Sequence, residues 1–140
     1  MSFGSDTMEK KIKDQILKAF ADRDGFTKNN NINILEIEDN YAKLEAEITD
    51  ISMNPNGTVH GGLLFGLADT AMGIAACTNG RNVCTLNSQI DYLRPGLKGK
   101  LIAIAEKIKV GKTVSVYRCN IYDDKDKHIA SCTGTYYFID

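Results

Sequence analysis

At 140 residues, with 43% hydrophobic and 25% charged side chains, the chain has the make-up of one ordinary globular domain, and disordered and fibrous classes are excluded. Its 17 Lys and Arg against 18 Asp and Glu leave a net charge of -1, too weak a field to steer nucleic acid or an anionic membrane. Met1 to Lys11 is rich in Ser, Gly and charge with no apolar centre, unlike a secretory signal, and no later stretch is expected to have the length to span a bilayer, so a cytoplasmic protein is expected.

The first predicted element is a helix over about Thr7 to Arg23, where Ile12, Ile16 and Phe20 recur at steps of four and give one docking face. Thr27-Lys28-Asn29-Asn30 then reads as a polar break, so residues 1–30 form an accessory helix and linker on a single domain covering 1–140. Ile32 and Ile34, then Leu44, Ala46 and Ile48, alternate with polar residues. They predict a strand pair turning at Asp39-Asn40.

From Ile51 to Gly80 the only Asp, Glu, Lys or Arg is Asp69, and Gly62 to Cys77 is apolar nearly all round. A helix without a polar face is a buried helix. Turn formers from Asn54 to Gly62 lead into it, and Asn79-Gly80 supplies its stop. Four strands follow, about Asn82 to Leu93, Lys100 to Val110, Thr113 to Tyr122 and His128 to Ile139. The third shows interrupted alternation, with Val114 and Val116 giving way to Tyr117, Cys119 and Ile121; Asp123 to Lys127 is a charged hairpin turn. One long apolar helix and about six strands predict an α+β architecture, an antiparallel sheet wrapped around a central helix. The four cysteines, Cys77, Cys84, Cys119 and Cys132, never pair as C-x-x-C and sit in apolar runs, so they read as small buried hydrophobes, with neither zinc nor a disulfide expected.

Asp69 is the residue to explain, because a carboxylate in an apolar helix carries a desolvation cost. It is either a catalytic base or an Asp that bonds neighbouring backbone or faces a wet crevice. His60-Gly61-Gly62 stands at the helix start, where unpaired N–H groups and the positive end of the macrodipole suit a developing oxyanion. The alternative is that the two glycines simply make a tight turn into the helix. Gly111-Lys112-Thr113 resembles the end of a phosphate loop, but Glu106 occupies the position where the first glycine belongs. It is read as a turn.

The text Asn54-x-x-Gly57-x-x-His60-Gly61-Gly62-x-x-x-x-Leu67-x-Asp69, followed by Tyr92-Leu93-Arg94-Pro95, Gly111-Lys112 and Ala130 to Thr135, resembles the hot-dog fold thioesterases of the phenylacetate and 4-hydroxybenzoyl-CoA thioesterase type. The likeness runs from about Ile32 to Phe138. It implies a hydrolase of acyl-CoA-type thioesters in which the Gly61 N–H, assisted by Asn54, polarises the carbonyl while Asp69 attacks or activates a water. Thr85 stands where relatives orient that water, although a strand would also favour Thr there. His60 either bonds substrate or braces the loop; Gly62, Lys112 and Thr113 are substrate-binding candidates, with Arg94, Lys98 and Lys100 of lower rank, although Lys112 also reads as a plain exposed turn lysine. No cofactor is implied, since coenzyme A belongs to the substrate. Acyl specificity stays open: Gly73 leaves room beside Asp69, and Met53, Phe65 and Met72 either line an acyl tunnel or fill the core. A hydratase or dehydratase on the same fold, and a non-catalytic acyl-CoA-binding module, are the alternatives. Gly61 and Asp69, eight residues apart, lie about 12 Å from each other along one helix. Acting on one carbonyl therefore requires two chains, and a homodimer, often paired into a homotetramer in the family, is expected.

Overall fold

The computed structural model describes residues 9–23 and 25–140. Two helices, α1 (Lys10–Arg23) and α2 (Gly25–Asn29), precede the strand pair β1 (Ile32–Glu38) and β2 (Tyr41–Glu47); the apolar helix α3 (Gly61–Ala76) is followed by β3 (Val83–Tyr92), β4 (Lys100–Val110), β5 (Val114–Asp123) and β6 (His128–Phe138). The expected positions 7 and 8 of the first helix lie outside the described residues. The strands form one antiparallel sheet in the order β1-β2-β4-β5-β6-β3. This sheet curls round α3, which packs on all six strands.

The core follows from the patterning. Leu67, Ala68, Ala71 and Met72 of α3 are fully buried, as are Ala42, Leu44 and Ala46 of β2 and Leu101, Ala103 and Ala105 of β4. Alanines on the facing strands let the sheet approach the helix closely, and the large residues of α3 fill the space between. A 3-10 turn, Cys77–Asn79, continues the end of α3, and the stop falls where expected, at Gly80, whose φ of 86 is a left-handed conformation that glycine adopts cheaply. Thr78 then ties this end to the β1–β2 turn, because its hydroxyl accepts from the Asn40 N–H at 2.8 Å and donates to the Ala75 carbonyl at 2.9 Å.

Four expectations are corrected. Thr27 to Asn29 is not a plain break but the body of α2, where Thr27 is buried and Phe26 lays its ring against Gly66 of α3. The alternation of β5 is unbroken: Ser115, Tyr117, Cys119 and Ile121 all point inward, and Val114 and Val116 share the opposite face. A buried serine disguised the period. Cys84 is exposed, because β3 is an edge strand with its outer side uncovered in the single chain, whereas Cys119 and Cys132 are buried and their thiols are pushed up by burial. Finally, Gly61–Asn79, 19 residues, is by length and composition apolar enough to cross a bilayer, where no stretch of that length was expected. Here it is the core helix, and the sheet covers its apolar surface.

Candidate active site

Asp69 sits half-buried near the middle of α3 and faces the β3–β6 end of the sheet. Its Oδ1 accepts two hydrogen bonds, from Thr85 Oγ1 at 2.9 Å and from Tyr136 Oη at 2.7 Å; the same phenol lies 3.2 Å from the Asp69 carbonyl. Two hydroxyls from neighbouring strands thus clamp one carboxylate oxygen and fix the direction of the other. Burial first, and then the Asp69 carboxylate bonded to it, push the Tyr136 phenol far above its ordinary range. It stays neutral and a donor at any working pH. Tyr117 packs edge-on against the Tyr136 ring, with centroids 6.1 Å apart, and holds it in place.

The helix start is built differently. His60 is the N-cap of α3, and its Nδ1 accepts from the Gly62 N–H at 2.8 Å. That bracing uses the Gly62 amide, so Gly61 carries the remaining N–H without an intrahelical partner at this position. Tyr92 donates its phenol to the Gly61 carbonyl at 3.0 Å, and its ring lies so close that a Cβ on Gly61 would meet it at 3.2 Å. A side chain at Gly61 would have to displace the Tyr92 ring. Asn54 shapes the preceding turn: its Oδ1 accepts from the N–H groups of Asn56 and Thr58, and its Nδ2 donates to Thr58 Oγ1 at 2.8 Å. One Nδ2 hydrogen is left over.

The candidate residues therefore fall into two groups. Asn54, Gly61, Tyr92 and Arg94 line one recess, of about 330 Å³, at the start of α3. Asp69 and Thr85 line a second, of about 310 Å³, with Phe65, Gly66 and Ser88. Ser88 Oγ is buried there without a hydrogen-bond partner among the described residues. Arg94 is exposed and spends one guanidinium N–H on the His128 carbonyl at 3.1 Å. Lys112 and Thr113 lie in the exposed β4–β5 turn and border neither recess; their carbonyls accept from Arg81 and from the Phe138 N–H. Of the residues expected to line an acyl tunnel, Phe65 borders the recess beside Asp69, but Met72 is in the core. No group of three or more His, Cys, Asp or Glu among the described residues could hold a metal ion.

Tyr136 and Tyr92 are the site residues that sequence reasoning missed. Tyr136 lies 67 positions from Asp69 and reads as an ordinary strand aromatic. Tyr92 enters the sequence reading only as part of Tyr-Leu-Arg-Pro, with no role attached.

The thioesterase superfamily profile matches residues 56–130, which contain the α3 start, Asp69, Thr85 and Tyr92. The chain is 32% identical over 117 residues to the acyl-coenzyme A thioesterase PaaI of Escherichia coli K12, covering 83% of this chain and 84% of that one. The solved structure of the E. coli PaaI protein from the phenylacetic acid degradation operon superposes with a TM-score of 0.88 at 30% identity, covering 93% of this chain and 95% of that one. A mutant of the phenylacetic acid degradation protein PaaI from Thermus thermophilus superposes at 0.79 with 28% identity, covering 83% and 100%. With a sheet wrapped on one helix and His-Gly-Gly at that helix's start, the chain belongs to the thioesterase superfamily, as a hot-dog fold thioester hydrolase of the PaaI type.

Proposed function

We propose that the chain hydrolyses acyl-CoA thioesters in a dimer, with Asp69 of one protomer acting on a carbonyl held by Gly61 and Asn54 of its partner. The observation that carries the reading is the clamp on Asp69: with Oδ1 held by Thr85 and Tyr136, the other oxygen is aimed to attack the carbonyl carbon or to take a proton from water. Thr85, whose proton is on Asp69, can hold that water only by accepting from it. The Gly61 N–H, at the positive end of the α3 macrodipole, would stabilise the oxyanion as the tetrahedral adduct forms. Collapse of the adduct expels the CoA thiolate: where Asp69 has taken a proton from the attacking water, the thiolate receives that proton; where Asp69 has attacked directly, a water then cleaves the mixed anhydride left on Asp69, frees the acid and the carboxylate, and gives its proton to the thiolate.

The split between two chains is supported by the spacing along α3 and by the separate recesses holding the two groups. A two-fold axis that runs two α3 helices antiparallel brings each helix start to the other's Asp69. The uncovered edge of β3, with Leu86 53% exposed, is suited to such pairing. A cytoplasmic setting agrees with the four free cysteines.

The deciding assay is incubation with a saturated acyl-CoA and a thiol-detecting reagent. Thiol release is expected, since a hydratase needs an enoyl or 3-hydroxyacyl group and a binding module turns nothing over. No thiol release across a panel of saturated acyl-CoAs, from an otherwise folded dimer, would overturn the proposal.

Tyr136→Phe gives a finer test. The ring stays, so the packing against Tyr117 stays, but one donor to the clamped oxygen is lost. A hydrogen bond to a charged group is worth about 1.5–3 kcal/mol, so kcat should fall by about tenfold or more with KM little changed. A change confined to KM would argue that Tyr136 does not orient the reacting carboxylate.

A further inference from the structure

We infer that the cavity beneath α1 is the chamber for the acyl group, and that the apolar face of α1 sets which acyl groups the enzyme accepts. The inference rests on the reading of Asp69 as the reacting carboxylate and adds to it the substrate's apolar half.

Asp69 borders two spaces. One is the recess it shares with Thr85, Phe65, Gly66 and Ser88; the other is a larger cavity of about 450 Å³ on the α1 side, which also takes in Thr85 and Tyr136. The carboxylate and the Thr85 hydroxyl stand at the junction. A thioester whose carbonyl carbon lies at that junction must send its acyl chain one way and its sulfur the other.

The chemistry of the larger cavity decides which way. Ile12, Ile16 and Phe20 line it from α1 with Gln15 among them, and Gly73, Ile74 and Val83 line it from α3 and β3 with the neutral polar residues Thr70 and Asn82, so the lining is mainly apolar. Among the described lining residues Arg81 is the single cation, and it is committed: its guanidinium donates to the Lys112 carbonyl at 3.0 Å and to the Asp140 carbonyl at 2.7 Å, and lies over the Phe138 ring at 4.2 Å. Nothing there is free to neutralise the phosphates of coenzyme A, and apolar walls favour a hydrocarbon. Gly73, one turn beyond Asp69, keeps the space open, because a Cβ built there would find its nearest neighbour, a Tyr136 ring carbon, at 3.9 Å.

The α1 wall lies outside residues 56–130, which the superfamily profile matches. The matched segment holds Gly61, Asp69 and Thr85, and the N-terminal helix α1 closes the space beside them. The substrate class that fits is an acyl-CoA with an uncharged, predominantly hydrocarbon acyl group.

The test is the ratio of kcat/KM for decanoyl-CoA to that for propionyl-CoA, measured on the full chain with two substitutions of opposite sense on one wall. Ile16→Trp narrows the chamber, and the ratio should fall by about tenfold; Phe20→Ala widens it and should raise the ratio for dodecanoyl-CoA over propionyl-CoA. Gly73→Leu, which narrows the chamber from α3, should shift the ratio as Ile16→Trp does, so the inference does not depend on one variant folding. Loss of fold cannot produce shifts of opposite sign. If all three variants hydrolyse propionyl-CoA and keep the wild-type ratio, the chamber lies elsewhere, and the Asp69 reading survives. If Asp69→Asn in the wild-type background retains turnover, the reading beneath the inference fails, and the inference fails with it.

Discussion

Replacing Asp69 with Asn is expected to lower kcat by about two orders of magnitude or more, corresponding to about 2.7 kcal/mol or more of lost transition-state stabilisation. The substitution is close to isosteric. The amide oxygen can occupy the Oδ1 position and accept from Thr85 and Tyr136 as the carboxylate does at 2.9 and 2.7 Å, so the clamp and the fold around it should persist. What the amide cannot do is attack a carbonyl or take a proton from water. KM should change little, because the lost interaction exists only in the reacting complex. The measurement is steady-state thiol release by a variant with wild-type melting behaviour, and near-normal turnover would remove Asp69 from the chemistry.

Asp69 was legible because the physics that singles it out is local: a lone charge in a stretch that can only be a buried helix. The strands were legible for the same reason: β4 begins and ends where the alternation and turn residues place it, and β2 and β6 each stop one residue short of Ile48 and Ile139. Tyr136 was not. Its role depends on β6 lying between β5 and β3, a pairing that brings a residue 67 positions away to the carboxylate, and nothing in the alternation of β6 marks one aromatic above another. Ser115 misled in the opposite way: a polar side chain on the inward face made a regular strand read as irregular. The spacing of Ile12, Ile16 and Phe20 announced a docking face on α1 but could not say that part of that face would roof a cavity beside Asp69. A periodic pattern specifies that a surface is covered, and only the fold specifies by what.

The arrangement of the site across two chains yields the sharper expected result. Asn54 and Gly61 line a recess at the start of α3, Asp69 and Thr85 line another about two turns along the same helix, and about 12 Å of axial separation keeps one carbonyl from meeting both. Asn54→Ala and Asp69→Ala should each be nearly inactive alone. Mixed in equal amounts and re-paired at random, half of the dimers carry one chain of each kind. If Asn54 and Gly61 of one chain serve Asp69 of the other, both lesions in a mixed dimer fall in the same site, and its second site is intact. About a quarter of all sites should then recover. If instead each site used a single chain, every site in a mixed dimer would carry one lesion and nothing would be restored. Asn54 also braces its turn through Asn56 and Thr58, so Asn54→Ala must first be shown to melt and dimerise normally. Co-refolded mixtures that contain heterodimers by tagged pull-down, yet show no more activity than the two variants apart, would rule out the shared site and leave the dimer without a part in the reaction.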